Sequence, residues 1–331
     1  MFDVITFGSA TWDAFMKIKS IHQVKSKKFI SQKGICFNLG SKIDVDNIFF
    51  SSGGGGTNTA TTFVQQGFKT AFVGAVGQDV AGQEILRELK EMGVDIGFVF
   101  KTEKRPTNYS VIFGTGEDRT VLAYRGASEL LENIPFLELR AKWFYLAPLS
   151  GKLSGITKEI VDFASKNNIK IAFNPGNSQL NLPKKVLEDI IVKVNVLILN
   201  QEEASILTGI PYNEEKSIFK KIDEICPGIA IMTKGPEGAV ISDGKHIFEA
   251  KPPQIGIKDR TGAGDAFGSG FVAGFIKSSG SVEEGIQLGM ANSLSCIRKW
   301  GAKAGILKKA DKFEKIAIKK EICLGNNCKV K

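Results

Sequence analysis

The chain has 331 residues, of which 43% are hydrophobic, and a formal net charge of +9. This length and apolar content suit one large α/β core or two modest domains. Charged residues interrupt every hydrophobic segment, which excludes a membrane-spanning helix. The lysines are scattered and no basic-aromatic module occurs, so the charge favours a solvated lysine surface, or a preference for anionic small molecules, over nucleic-acid binding.

The N-terminal stretch and the cysteines indicate the cellular setting. MFDVITFGSATWD contains Asp3 and no basic region, so it predicts a first strand and not a signal peptide. Five cysteines are spread without a framework of pairs, which favours a reducing, cytoplasmic environment. Cys323 and Cys328 lie near each other, but no second pair completes a zinc site, so we interpret them as two tail thiols.

Short apolar strands alternate with amphipathic helices along most of the chain. This alternation predicts βαβ units and an α/β fold, with a mostly parallel central sheet covered on both faces. The stretches that carry the pattern are DVITFG, TNTATTFVQQGF, TAFVGAVG, AGQEILRELKEMG, WFYLAP, GITKEIVDFASKNN, IKIAFN, VNVLILN, EEASILTG and GIAIMT.

Two segments break this alternation. Residues 37–50 alternate apolar and polar side chains approximately as a half-buried strand does, and residues 107–124 read as two strands joined by a turn at GTGED. Both predict a small separate sheet that acts as a lid. The expected division is a core of residues 1–12, 53–98 and 126–331, and a lid of residues 13–52 and 99–125.

Polar residues follow several predicted strands, where open parallel sheets bind ligands. They are Asp13, Asn174, Asn200 and Thr233. Each could be a turn former or a cap, and Asn200 with Glu203 fits a capping box. On this stretch alone, the structural interpretation of Asn200 is favoured.

A glycine-rich loop precedes the helix TNTATTFVQQGF. Residues 53–56 are all glycine, with Thr57 or Asn58 expected near the helix cap. Such a loop could be a flexible linker, or it could let a ligand contact backbone amides and the Asn58 side chain. Neither a Walker A motif nor a complete G-x-G-x-x-G occurs, so P-loop and Rossmann interpretations fit poorly.

A second small-residue stretch, DRTGAGDAFGSG, surrounds Asp265 at residues 259–270. Gly262, Ala263 and Gly264 would offer backbone N–H groups at a helix N-terminus, where anions are favoured. A carboxylate beside such an anion hole is suited to accept a proton from a hydroxyl during phosphoryl transfer. The alternative is that Asp265 is a helix-capping residue.

With both glycine loops considered, the chain resembles the ribokinase-like, or PfkB-type, carbohydrate kinases. GGGTNTA, with Gly67 and Gly77 downstream, fits the N-terminal motif of that family. DRTGAGDAFGSGFV fits its C-terminal motif apart from Arg260, where a small residue or proline is usual. The resemblance covers nearly the whole chain and implies a three-layer α/β/α fold with a small β-sheet lid.

The resemblance also implies roles for particular residues. Asp265 would be the catalytic base, and residues 262–264 the anion hole. Asn200 and Glu203 would organise Mg²⁺ and phosphate through water, contrary to the capping interpretation. Further implied sites are sugar binding at Asp13, Gly54, Gly55 and Asn58, ATP binding at Asn174, Thr233, Lys234, Gly235, Gly238 and Asn292, and a monovalent-cation site at Asp259 and Thr261.

Several positions depart from ribokinases proper. Thr11 stands where they have Asn, Gly55 where they have Lys, and WFYLAPLS lacks an expected Glu. Arg125, at the junction of lid and core, could face an acidic sugar or the transferred phosphate, or could be a surface residue.

The resemblance therefore implies a kinase that transfers the γ-phosphate of ATP to a primary hydroxyl of a sugar. It implies Mg²⁺ as a cofactor and makes K⁺ a candidate for the monovalent-cation site. A nucleoside kinase is the alternative within this class, and a non-catalytic sugar sensor the alternative of another class. An exposed lid with edge strands is compatible with a homodimer.

Overall fold

The computed structural model describes residues 1–18, 22–26, 33–114, 119–131 and 133–322. The predicted tail thiols Cys323 and Cys328 and most of the predicted GTGED turn lie outside these ranges. Short 3₁₀ turns occur at Ala127–Leu130, Phe136–Glu138 and Gly235–Glu237. The strands and helices, in chain order, are β1 (Phe2–Phe7), β2 (Thr11–Ile18), β3 (His22–Lys25), β4 (Lys33–Cys36), β5 (Val45–Gly53), α1 (Gly55–Gln65), β6 (Thr70–Gly77), α2 (Val80–Glu91), β7 (Val99–Thr102), β8 (Asn108–Gly114), β9 (Arg119–Tyr124), β10 (Ala141–Leu146), α3 (Gly151–Gly155), α4 (Thr157–Lys166), β11 (Lys170–Phe173), α5 (Asn177–Leu180), α6 (Lys184–Ile191), β12 (Val196–Asn200), α7 (Gln201–Thr208), α8 (Glu215–Ile225), β13 (Ile229–Thr233), β14 (Ala239–Ser242), β15 (His246–Ala250), α9 (Ala263–Lys277), α10 (Val282–Cys296) and β16 (Ile318–Ile322).

The large sheet has the strand order β16-β15-β14-β13-β12-β11-β10-β1-β6-β7. In the order of the sheet, the strands β7-β6-β1-β10-β11-β12-β13 pair in parallel. The strands β13-β14-β15-β16 pair antiparallel. Continuous apolar runs such as TAFVGAVG are buried along their whole length, as strands covered on both faces must be. The predicted α/β fold with a mostly parallel central sheet is confirmed.

Helices cover both faces of this sheet and divide the core into two layers. One layer joins sheet residues to the apolar faces of α4, α6 and α8, for example Ile160, Ile190 and Phe219. The other joins them to α1, α9 and α10, for example through Phe63 and Phe271. The arrangement is three-layered, as predicted.

A second, small sheet stands apart, with the order β5-β2-β8-β9. Strand β2 pairs antiparallel with β5 and parallel with β8, and β8 pairs antiparallel with β9. The hairpin of β3 and β4 is separate. The strand expected over residues 37–50 begins at Val45, and the two strands expected over residues 107–124 are both present.

The small sheet and the large sheet meet at different residues from those expected. Val99–Thr102 was assigned to the lid, but it pairs in parallel with β6 and extends the large sheet. Thr11, Trp12 and Gly53 were assigned to the core, but they belong to strands of the small sheet. The described part of the chain has no helix with the length and apolarity that crossing a bilayer requires.

Candidate active site

Helix α9 begins with a turn that only glycine fits. Gly262 is its N-cap, with φ of 76°. A Cβ atom built on Gly262 would lie 2.4 Å from the Ala302 Cβ. Among the described residues no side chain caps this helix, so its first turn presents backbone N–H groups and the positive end of the helix dipole. The Ala263 N–H also makes a turn hydrogen bond of 3.3 Å to the Arg260 carbonyl.

Asp265 lies in that first turn and does not cap the helix. Its Oδ2 accepts a hydrogen bond of 2.8 Å from Asn58 Nδ2 on α1. Helix α1 starts at Gly55, with Gly54 as its N-cap, which is earlier than the cap expected at Thr57 or Asn58. A Cβ atom on Gly55 would be 3.4 Å from Asp265 Oδ1. The N-termini of two helices therefore converge on one carboxylate.

The surroundings of Asp265 favour a base with a raised pKa. Burial raises the pKa of the Asp265 carboxyl, and the hydrogen bond from Asn58 opposes this increase. In the described part of the chain, Asn58 Oδ1 and Tyr145 Oη are buried polar atoms without a hydrogen-bond partner. Asn58 thus holds Asp265 with its amide nitrogen and has an acceptor oxygen to offer a ligand hydroxyl.

Asp13 lies in the small sheet beside the glycine loop. It is buried, and in the strand register it stands opposite Ser51 of β5 and Ser110 of β8. A Cβ atom on Gly53 would be 2.1 Å from Asp13 Oδ2. The Asp13 carboxylate therefore rests directly on the backbone that leads into α1. Its role in sugar binding stays a prediction.

A cavity of about 330 Å³ opens between the small sheet and the core. Arg125 and Glu203 are predicted site residues that line it. Most of the remaining lining is hydroxyl and amide side chains that no sequence motif had indicated. The full set is Ser9, Thr11, Asn108, Ser110, Ala123, Tyr124, Arg125, Pro148, Leu149, Ser150, Gly176, Asn177, Ser178 and Glu203.

Asn200 and Glu203 form the capping box that their spacing indicated. Glu203 N donates to Asn200 Oδ1 at 2.8 Å, and Asn200 N donates to Glu203 Oε2 at 2.9 Å. Burial raises the pKa of Glu203 to about 7; the Asn200 N–H lowers it, and the nearby charges of Glu202 and Asp265 raise it further. Glu203 is therefore both a structural cap and a carboxylate close to the candidate base.

Apart from Asn292, the residues predicted to bind ATP lie at or just after the carboxyl ends of β11, β12 and β13, which share one edge of the sheet. Asn174 Nδ2 donates to the Ile198 carbonyl at 3.0 Å, and Thr233 Oγ1 to that of Leu199 at 3.5 Å. Lys234 Nζ bonds Glu215 at 2.7 Å. Gly235 and Gly238 have positive φ, and a Cβ atom on Gly238 would be 2.0 Å from the Ala250 carbonyl oxygen.

Asn292 does not fit its predicted place beside adenine. Its side chain is 0% exposed. Its Nδ2 donates to the Ala266 carbonyl and to Thr62 Oγ1, and its Oδ1 accepts from Leu307 N. Asn292 instead joins α10 to α9, α1 and the C-terminal segment, because these buried backbone groups need partners.

Asp259 and Thr261 form a compact loop before α9. Thr261 donates to Asp259 Oδ1 from its N–H at 2.9 Å and from its hydroxyl at 2.7 Å. Gly301 N donates to Asp259 Oδ2 at 3.0 Å. Asp259 therefore holds the loop that precedes α9 against the segment after α10. Whether Asp259 also binds a cation stays a prediction. The described residues contain no group of three Asp, Glu, His or Cys side chains that could hold a metal by itself.

Lys303 is a buried residue near this site that sequence reasoning missed. Burial lowers the pKa of its ammonium to about 8, and the charges of Glu88 and Asp13 oppose that decrease. A single lysine in the stretch GAKAG resembles the many surface lysines of this chain, so no pattern distinguished it.

The sequence and the fold resemble those of known sugar and nucleoside kinases. The ribokinase of Haemophilus influenzae is 26% identical over 283 residues, covering 83% of this chain and 90% of the relative. An ATP-dependent 6-phosphofructokinase of Thermoanaerobacterium thermosaccharolyticum is 25% identical over 279 residues, covering 81% and 85%. The crystal structure of a Methanocaldococcus jannaschii nucleoside kinase, an archaeal member of the ribokinase family, superposes with a TM-score of 0.74 at 20% identity, covering 92% of this chain and 95% of that one.

These similarities define a phosphotransferase with an alcohol group as acceptor. The sequence profile described as pfkB family carbohydrate kinase matches residues 29–309. The chain belongs to the pfkB family of carbohydrate kinases, whose members include ribokinases, nucleoside kinases and phosphofructokinases. The family membership predicted from the two glycine-rich motifs is confirmed.

Proposed function

We propose that this protein transfers the γ-phosphate of ATP to a primary hydroxyl of a sugar, with Asp265 as the general base. The hydrogen bond between Asn58 and Asp265, formed where the N-termini of α1 and α9 converge, is the observation that carries the proposal. It places a desolvated carboxylate with a raised pKa at the start of α9, where the backbone N–H groups carry the positive end of the helix dipole. Such a pair can take a proton from a hydroxyl while amide groups stabilise the phosphoryl group in transfer.

The anion hole would be formed by the backbone of Gly262, Ala263 and Gly264. The positive φ of Gly262 turns the chain into α9, and no side chain of the described residues makes a capping hydrogen bond to the first amides of this helix. Because one of the three amides, that of Ala263, also makes a long turn hydrogen bond, we expect Gly262 and Gly264 to contribute most.

ATP would bind along the sheet edge that carries Asn174, Asn200, Thr233 and the turn of residues 234–238. Family members use ATP, and phosphoryl transfer needs the phosphate charge neutralised, so Mg²⁺ is expected. The chain has no three-carboxylate cluster among its described residues for this ion. We therefore propose that Glu203 holds Mg²⁺ through water, together with the phosphate oxygens of the nucleotide.

A monovalent cation at Asp259 and Thr261 is a separate proposal. A cation there would stiffen the loop that Gly301 and Asp259 already join, and so fix the anion hole. K⁺ should then raise kcat over Na⁺-only and choline buffers at constant ionic strength. Equal rates in all three buffers would remove the cation from the scheme and leave the kinase proposal intact.

The acceptor would lie between Asp13, the glycine loop at Gly54 and Gly55, and Asn58, and extend into the cavity. Hydroxyl and amide side chains dominate the cavity lining, which matches a polyol better than a flat apolar base. Arg125 offers the lining a cation for a carboxylate or phosphate on the acceptor, or for the transferred phosphate. These features favour a sugar, including an acidic or phosphorylated one.

Tyr124 favours a second candidate, a nucleoside acceptor. It lines the same cavity, and a half-exposed aromatic ring can stack on a base. A panel of ribose, fructose, 2-keto-3-deoxygluconate, adenosine, cytidine and guanosine, assayed by ADP release and by phosphorylated product, distinguishes the two. Binding of one member without turnover would support a non-catalytic sensor and contradict the kinase proposal.

Two further properties are proposed with the reaction. The free thiols of Cys36, Cys226 and Cys296 suit a reducing cytoplasm.

The small sheet exposes apolar side chains on β5 and β9, which a second copy could cover as a homodimer. Sedimentation of the chain and of a variant with Ile48 and Phe50 replaced by Ser tests the dimer: the proposal requires a dimer that the variant loses.

A further inference from the structure

Lys303 occupies an unusual place for a lysine. It is 7% exposed, although lysine is almost never fully buried without a partner. An ammonium group removed from water must be compensated by hydrogen bonds and opposite charges. The contacts of Lys303 therefore show what its charge is used for.

Those contacts connect the small sheet to the core. Lys303 Nζ donates to Ser52 Oγ at 2.6 Å. Ser52 Oγ in turn donates to the Glu88 carboxylate of α2. Ser52 is next to last in β5 and directly precedes the glycine loop. The ammonium thus fixes the point at which the small sheet joins the helix that carries Asn58.

The segment that carries Lys303 also contacts the loop of residues 259–262, which precedes α9. Gly301 bonds Asp259 through its N–H, and Ala302 packs against Gly262, where a Cβ atom would collide with it. On its other side, Gly301 lies against Ser51, whose Oγ would be 2.7 Å from a Cβ atom built there. Residues 301–303 therefore touch the base of the small sheet and the start of α9 at once.

The charges around Lys303 include Asp13. The negative charges of Glu88 and Asp13 raise the pKa of its ammonium and so oppose the effect of burial. Asp13 is 6% exposed and rests on the Gly53 backbone, one residue after Ser52. Without the ammonium, two carboxylates would remain in this partly desolvated place with less positive charge to balance them.

We propose that Lys303 is a positioning residue for the acceptor: it holds the Asp13 carboxylate and the end of β5 in fixed relation to the loop of Gly262. This inference rests on the proposed role of Asp13 in acceptor binding. Lys303 itself contacts neither the acceptor nor the phosphates. Its loss acts on acceptor affinity through Asp13 and Ser52, and leaves the ATP edge of the sheet unchanged.

The test compares Lys303→Met with Lys303→Arg and with Lys299→Met, an exposed lysine of the same segment. The acceptor is whichever member of the sugar and nucleoside panel the wild-type enzyme phosphorylates fastest. For Lys303→Met we expect the acceptor KM to rise at least about tenfold, with the ATP KM within about twofold, as loss of one partner of a buried charge network implies. Lys303→Arg should recover most of the acceptor affinity, and Lys299→Met should match the wild type.

A double variant separates positioning from simple stability. Glu88→Gln combined with Lys303→Met removes the carboxylate left unpaired by the single change, so thermal stability should return toward that of the wild type. The acceptor KM should stay raised because Asp13 still lacks the ammonium. Recovery of both quantities together, or a wild-type KM in Lys303→Met, would overturn the proposal.

Two measurements keep this result apart from failure of the proposed function. If Asp13→Asn leaves the acceptor KM unchanged, or if the wild type phosphorylates nothing, the assignment of Asp13 fails first. Amide hydrogen exchange of Lys303→Met without substrates then decides about Lys303, since exchange should increase both at residues 49–53 and at residues 300–303. An increase confined to residues 300–303 would contradict the connection between the small sheet and the loop.

Discussion

The two sides of the candidate active site differ in how tightly they are packed. On the core side, α9 buries Phe267 and Phe271 to 4% and 0% exposure, and Asn58 of α1 holds Asp265 by a hydrogen bond. On the other side, Ile48 and Phe50 of β5 are each 46% exposed. The proposed base is therefore held by the packed core, whereas the small sheet leaves a large part of its apolar surface on β5 exposed. We expect changes in the core to lower the rate, and changes in the small sheet to weaken acceptor binding.

The largest expected effect is on the core side. Asp265→Asn keeps the size of the side chain and one oxygen that can accept from Asn58, but it removes the base, so kcat should fall at least about 100-fold while ATP binding survives. Steady-state kinetics and ATP titration measure the two quantities. Glu283→Gln, which neutralises an acid in the first turn of α10, serves as a control and should keep the wild-type rate. Wild-type turnover by Asp265→Asn would remove this residue from the mechanism.

A change confined to the small sheet should show the opposite pattern. Replacing residues 109–123 by a short Gly-Ser linker removes most of β8 and β9 but keeps Asn108, whose Oδ1 accepts from Gly126 N and Ser128 Oγ. The core should remain folded, the acceptor KM should rise about tenfold, and more ATP should be lost to water because closure is incomplete. ADP release compared with sugar phosphate formed gives the coupling ratio. An unchanged ratio with an unchanged KM would show that the small sheet is not a lid.

Gly262→Ala tests whether the start of α9 must keep its backbone geometry. Its φ of 76° and the contact of 2.4 Å with Ala302 leave no room for a methyl group. We expect a loss of about 1–3 kcal/mol in the free energy of unfolding and a kcat reduced by about tenfold, because the anion-hole amides shift. Gly256→Ala, where a Cβ atom meets nothing within 4 Å, is the matched control. Equal effects from both changes would contradict the special role of Gly262.

The smallest expected effect is a pH dependence of stability. The pKa of Glu203 is raised from 4.5 to about 7, so between these values the folded state holds more protons than the unfolded state. The free energy of unfolding contributed by this group therefore falls as pH rises from 4.5 to 7. In chelator and without nucleotide, Glu203→Gln should flatten this fall and raise Tm at pH 8, whereas Glu202→Gln, which removes only one of the charges that raise the Glu203 pKa, should do so to a smaller extent. Parallel Tm curves for the two variants would show that Glu203 is not desolvated.

The sequence predicted those parts of the fold and site that depend on local patterns. Burial on both faces of a parallel sheet requires continuous apolar runs, which made the large sheet recognisable. Helix N-termini with glycine and no capping side chain are also local, so the turn before Asp265 could be predicted. The strand Val99–Thr102 could not be assigned correctly, because which sheet a short strand joins depends on a partner distant in sequence.

The direction of individual side chains was the other feature that could not be predicted from the sequence. Asn292 lies in the stretch GMANSLS that suggested an adenine contact, but its fully buried side chain is used for hydrogen bonds that join α10 to α9 and α1. Lys303 has no motif, and its role depends on Ser52 and Glu88, more than two hundred residues earlier in the chain. The capping box of Asn200 and Glu203 was legible from spacing, whereas the cavity that Glu203 lines was not.

The antiparallel strand β16 protects the edge of the large sheet. It pairs with β15 along Ile318–Ile322 and covers the hydrogen-bonding groups that His246–Ala250 would otherwise present. Most of its exposed side chains are charged. Lys320 pairs with Glu283 and lies over the Phe248 ring, and Lys319 pairs with Glu321. Charged edge strands discourage pairing between molecules. Removal of the chain from residue 318 onward would therefore expose β15 as a template for intermolecular strand addition. We expect such a truncation to increase aggregation although it removes none of the proposed site residues.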